Sequence, residues 1–113
     1  MIPYESWQAK MADADLLQRC KEALRAVVPD ADVILYGSRA RGDAKDDSDY
    51  DILVLVDRPA DVAMHERLIS GISPLEENGA VLTLTIYNRD LWNSKLYEAM
   101  PFRENVDREG VLL

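Results

Sequence analysis

The chemistry in this sequence is concentrated in one stretch, LYGSRARGDAKDDSDYDILVLV, residues 35–56. Gly37 and Ser38 break an apolar run, Arg39 and Arg41 follow, and Asp49 and Asp51 stand at the mouth of a second apolar run. Residues two apart on an extended segment project from the same face, so Asp49 and Asp51 share one side and Tyr50 takes the other. Two carboxylates about 6 Å apart, at an effective dielectric of about 20, repel by roughly 3 kcal/mol. Left unpaired, one of them raises its pKa. A divalent cation removes the conflict. Oxygen ligands at this spacing suit Mg²⁺ or Mn²⁺, which also bridge to phosphate oxygens.

The Gly37-Ser38 bend supplies the complement. Glycine permits a backbone conformation that a side chain would forbid and lets another group approach the main chain. If SRARG begins a helical turn, its free N–H groups favour an anion, phosphate above all. Ser38 adds a hydroxyl, and Arg39 and Arg41 add positive charge. The phosphate loop of ATPases is a different device, with spaced glycines and a Gly-Lys-Ser/Thr ending that this stretch lacks. An isolated Asp-x-Asp is ordinarily a solvated turn, and DAKDDSDYD read alone is an acidic loop. The combination raises it above that: glycine-serine at a strand end, ten residues, then Asp-x-Asp opening a buried strand.

The elements around the stretch fit that task. Leu16, Leu17, Cys20, Leu24, Val27 and Val28 recur at helical spacing within residues 5–28, and Pro29 stops the pattern. ADVILYG reads as a strand ending at Gly37. YDILVLV is apolar at nearly every position, which marks a strand covered on both faces. Asp61 caps a helix carrying Val62, His65, Leu68, Ile69 and Ile72. In AVLTLTIYN, Leu82, Leu84 and Ile86 alternate with Val81, Thr83, Thr85 and Tyr87. The tail from Asp90 reads as two short helices, with Pro101 in a first turn and Gly110 at a C-terminal cap. The expected architecture is a single α/β domain over residues 1–113, a mixed three- to four-stranded sheet packed with helices.

Composition narrows the class. Apolar residues are 48% of the 113, enough to build a core, and no window of 18 is wholly apolar, so a membrane span is not expected. Cys20 is the single cysteine, which excludes an internal disulfide and suits a reducing cytoplasm. The formal net charge of −8 is the reverse of the basic face that grips a nucleic-acid backbone, and argues against extended nucleic-acid binding. Positive charge focused at Arg39 and Arg41 suits a small phosphorylated ligand instead.

Gly37-Ser38, the ten-residue gap and Asp49-x-Asp51 resemble the signature of the DNA polymerase beta-like nucleotidyltransferase superfamily. The longer string YGSRARGDAKDDSDYDILV is similar to its minimal nucleotidyltransferases, small prokaryotic domains often encoded beside an HEPN-domain partner, and FRENVDREGVLL is similar to the tail of many of them. The resemblance implies the small nucleotidyltransferase fold. It implies that Gly37 and Ser38 hold the β- and γ-phosphates of a nucleoside triphosphate such as ATP. It further implies that Arg39 and Arg41 neutralise phosphate charge, and that Asp49 and Asp51 are the catalytic carboxylates and ligate Mg²⁺. An acceptor hydroxyl, expected on a partner protein of HEPN type, would attack the α-phosphorus and release pyrophosphate.

The sequence departs from the pattern in one place. Active members carry a third carboxylate on the following strand, and the alternation in VLTLTIY puts Thr83 and Thr85 there. Asp90, Glu76 and Glu77 are the nearest acids, all outside the strand. Hence a second expectation stands beside the first: a binding module of the same fold that acts by contact, as an antitoxin does. The acceptor surface is expected from a second copy or a separate partner; Leu91, Trp92, Leu96, Phe102 and Val106 could form that contact, but the favoured reading of these residues is that they cover the sheet. Trp7 and Trp92 read as packing anchors, Cys20 as a buried thiol and His65 as a surface or half-buried histidine.

Overall fold

The computed structural model describes residues 1–7 and 11–113. The leading helix, α1, runs Met11–Val27, and its stripe Leu17, Cys20, Leu24 is fully buried. Its end is held by Arg25, whose guanidinium donates to Pro29 O at 2.9 and 3.0 Å. Of the helix expected over residues 5–28, positions 8–10 lie outside the described residues, and Tyr4–Ser6 form a 3₁₀ turn instead. That turn lets Trp7 reach Ala40 O with its indole N–H at 3.0 Å.

Three strands follow where the apolar runs place them: β2 at Asp32–Tyr36, β3 at Tyr50–Val56 and β4 at Leu82–Asn88. Helix α3, Val62–Ile72, crosses between β3 and β4, so these two pair in parallel, while β2 and β3 pair antiparallel. Asp61 caps α3 as expected, accepting from Met64 N–H at 2.9 Å. Gly71 lets α3 close on α1: a Cβ there would stand 3.3 Å from the Val27 side chain and 3.5 Å from Ala23 O.

The period of two along β3 separates two cores. Tyr50, Ile52, Val54 and Val56 pack with Val33, Leu35, Leu82 and Leu84 beneath α1 and α3. Leu53 and Leu55 point the opposite way, with Ile34, and are covered by Trp92 and Val106. That cover comes from α4 (Arg89–Trp92), α5 (Lys95–Glu98) and α6 (Pro101–Glu109). Burial on both faces explains the unbroken apolar run, each enclosed Leu or Ile contributing roughly 2 kcal/mol.

Two elements extend the expected sheet of three to four strands to five, in the order β1-β5-β2-β3-β4. They are β1 at Ile2–Pro3 and β5 at Val111–Leu112, each two residues long. The tail likewise holds three short helices rather than two. Segments of two to four residues are too short to show a period. Trp92 is 2% exposed, and His65 lies exposed on α3. Among the described residues no helix is long and apolar enough to cross a membrane.

Candidate active site

The antiparallel pairing of β2 and β3 brings the two halves of the opening stretch together. Tyr36, the last residue of β2, is the register partner of Asp51. The next residue, Gly37, turns the chain with φ of +75° into α2, Gly37–Arg41. The close approach there needs glycine. An ideal Cβ at position 37 would lie 3.2 Å from Asp51 Cγ and overlap Asp51 Oδ2. The left-handed φ alone disfavours any other residue. Asp51 therefore points into the Gly37-Ser38 bend.

Asp49 and Asp51 share a face of the sheet, as their spacing requires. Tyr50 is buried in the opposite core. The Asp51 carboxyl is held above the ordinary carboxylate range, first by burial and then by the Asp49 charge, with Arg41 opposing and Glu109 adding to the shift. The like-charge conflict read from the sequence is thus present in the fold. Parallel pairing sets Thr83 directly beside Asp51, and Thr83 Oγ1 donates to Asp49 Oδ2 across 3.5 Å. Tyr36 and Thr85 hydroxyls meet at 3.2 Å on the same face. The position beside the two aspartates is therefore filled by Thr83.

None of the nearest acids named from the sequence replaces it. Glu76 accepts from Leu82 N–H at 3.1 Å, which fixes the entry to β4. Glu77 follows it on the exposed turn that precedes β4. Asp90 lies on α4, beyond the far end of β4. A carboxylate that sequence reasoning did not single out arrives from elsewhere. Glu109, the last residue of α6, accepts the Gly37 N–H at 3.2 Å. Its two oxygens also take Arg41 Nη1 at 3.2 and 3.3 Å. The available signal was the REG of the tail, with an acid at a helix end that ordinarily favours a cation.

The two arginines part company. Arg41 stays beside Asp51 and Glu109, and its bonds to Asp43 and Glu109 hold its guanidinium firmly protonated. Arg39 turns to the Tyr50 side of the sheet, its guanidinium 4.3 Å from that ring. There it donates to Ser48 O at 2.9 Å and Asp46 O at 3.2 Å, and lies 3.9 Å from Asp13. Arg39 braces the acidic loop that carries the chain into Asp49. Of the six residues picked from sequence, the structure gathers Gly37, Ser38, Arg41, Asp49 and Asp51 around one bend and directs Arg39 away from it.

The donor set suits a hard divalent ion that keeps much of its shell in water and phosphate oxygens, since two monodentate carboxylates leave most positions open. Among the described residues no three His, Cys, Asp or Glu side chains gather as a closed metal cage. A carboxylate pair, a glycine bend and a guanidinium together can hold a phosphorylated ligand and place it against an ion.

Residues 17–108 match the family model for the nucleotidyltransferase domain. No curated protein matches the sequence. Among solved structures, a candidate nucleotidyltransferase from Sulfolobus solfataricus is similar at 22% identity, over 93% of this chain and 87% of that one, with a TM-score of 0.48. The family match spans β2, β3 and β4, the Gly37-Ser38 bend and both aspartates, and the chain belongs to the nucleotidyltransferase domain family.

Proposed function

We propose that the protein is a Mg²⁺-dependent nucleotidyltransferase that moves AMP from ATP to a hydroxyl, the acceptor being carried on a partner protein of HEPN type. The observation that carries this reading is the seating of Asp51 against Gly37, with Asp49 beside it and Arg41 across the bend. Gly37 and Ser38 cradle the terminal phosphates, and Arg41 offsets their charge. Asp49 and Asp51 are the ligands for the ion. A divalent ion held there would supply charge neutralisation on the phosphates and polarisation of the α-phosphorus.

The acceptor oxygen attacks the α-phosphorus, and the bond from that phosphorus to the bridging oxygen of pyrophosphate breaks. The acceptor proton passes to solvent or to an adjacent base, and pyrophosphate leaves with the bonding pair. This chain's contribution is to orient the triphosphate so that attacking and leaving oxygens fall in line. Leu91 and Leu96, 44% and 74% exposed beside the aromatic cluster of α4–α6, support a docking face for the acceptor protein.

Incubation with Mg²⁺, candidate acceptor proteins and ATP labelled at the α-phosphate is expected to transfer label, whereas γ-labelled ATP is not. Equal labelling by the Asp49→Asn/Asp51→Asn double variant would refute the mechanism.

Thr83 favours a second reading, in which the same pocket binds nucleotide without turnover and the protein works by contact, as an antitoxin masking its partner. Threonine is neither a base nor a good Mg²⁺ ligand. In this reading the double aspartate variant still neutralises the partner in cells, while in the first it does not. Thr83→Asp tests the same point from the other side, since it restores a carboxylate beside Asp51: transfer that appears in this variant and is absent from the wild type supports the second reading, and transfer already present in the wild type supports the first.

A further inference from the structure

Glu109 is placed against three ordinary preferences. It closes α6, where the helix dipole disfavours an anion. Its side chain is only 14% exposed. It also stands near Asp51, whose carboxyl it helps to push up. In that position it holds the Gly37 N–H at 3.2 Å and both of its oxygens engage Arg41. Those are the two donors of the bend that a phosphate group would use. A carboxylate, with two acceptor oxygens and one negative charge, is the side-chain group most like a phosphate.

We propose that Glu109 is an internal competitor for the phosphate position, holding Gly37 N–H and Arg41 until a triphosphate displaces it. The inference rests on the nucleotide-binding reading of the bend and concerns what that binding must overcome. With Glu109 in place, Arg41 already bonds the carboxylates of Glu109 and Asp43 and lies near Asp51, which also feels the Asp49 charge, so the site repels a bare polyanion. A triphosphate already neutralised by a divalent ion meets far less repulsion and can take the two donors. Glu109 thereby selects the metal-charged nucleotide over free phosphate compounds.

The test is titration calorimetry with ATP and with inorganic tripolyphosphate, each with and without Mg²⁺, on the wild type, Glu109→Gln and Glu109→Asp. Glutamine keeps the shape and removes the charge, and aspartate withdraws the carboxylate by one methylene. Both variants are expected to bind magnesium-ATP about tenfold more tightly, the factor that follows if Glu109 holds the site closed about nine-tenths of the time. Glu109→Gln is also expected to gain measurable affinity for metal-free tripolyphosphate. Thermal melting of each variant establishes that it is folded. Equal or weaker magnesium-ATP binding by folded variants overturns the role of Glu109, while Asp49- and Asp51-dependent binding by the wild type leaves the nucleotide reading standing. Absence of triphosphate binding in wild type and variants alike overturns both.

Discussion

Asp51 and Gly37 share space that neither could share with a larger neighbour: a Cβ on residue 37 would overlap Asp51 Oδ2. The contact joins the end of β2 to the start of β3, so the Gly37-Ser38 bend and the Asp51 carboxylate are one unit. Gly37→Ala must both strain a backbone at φ +75° and push Asp51 aside. It is expected to destabilise the fold by about 1–2 kcal/mol in urea denaturation. It is also expected to abolish Mg²⁺-dependent ATP binding by calorimetry. Unchanged nucleotide affinity would show that the bend and the acid work separately.

The raised Asp51 carboxyl makes a prediction whose sign is fixed by linkage. The folded protein holds that proton more tightly than the unfolded chain, because burial and the Asp49 charge disfavour ionisation. The stability so conferred is full below the ordinary aspartate value and is lost as pH rises through the raised folded value. At neutral pH without metal, Asp51→Asn should therefore melt higher than the wild type, by about 0.5 kcal/mol once solvent screening of this partly exposed group is allowed for. Below the carboxylate range the two should coincide. Added Mg²⁺ should raise the melting temperature of the wild type and not of the variant.

Arg39 and Arg41 should separate stability from binding. Arg39→Ala loses the Tyr50 stacking and the bonds to Ser48 O and Asp46 O, and should destabilise by about 1–2 kcal/mol. Arg39→Lys should recover little, since an ammonium cannot reproduce the planar fork. Arg41→Ala, at a more exposed guanidinium, should leave the melt nearly unchanged and weaken triphosphate binding more than Arg39→Ala does. The reverse ranking would place Arg39 in the phosphate site.

Cys20 is fully buried against the sheet, and burial pushes its thiol up to about 12. At neutral pH the thiolate that alkylating reagents require is scarce. Labelling by iodoacetamide should be slow in the folded protein and should reach completion only as urea unfolds it. Rapid labelling of the native state would indicate that α1 opens away from the sheet.

What could be read in advance divides by length. β3 is legible because seven consecutive residues need cover on both faces, and the structure supplies it from α1 and α3 on one side and Trp92 and Val106 on the other. The facing of Asp49 and Asp51 follows from the two-residue repeat, and the helical turn at Gly37 from the glycine. β1 and β5 are not legible, because a two-residue strand shows no period and is set only by its partners. The direction of Arg39 was equally hidden. A flexible arginine can turn to either side of α2, and only the tertiary position of the Tyr50 ring decides which. Glu109 lies 72 residues from the N–H it binds, beyond the reach of any local pattern.

That separation has a kinetic corollary. The segment after Glu109 is stitched to β2: Val111 pairs with Leu35, and Leu113 N–H donates to Val33 O at 2.9 Å. The same strand delivers Gly37, so the bend is framed by one of the widest loop closures in the molecule. Wide closures form late, and their elements open first when the native state fluctuates. Amides of residues 110–113 and of the Gly37 turn should then exchange with deuterium as one cooperative unit, faster than the enclosed centre of β3.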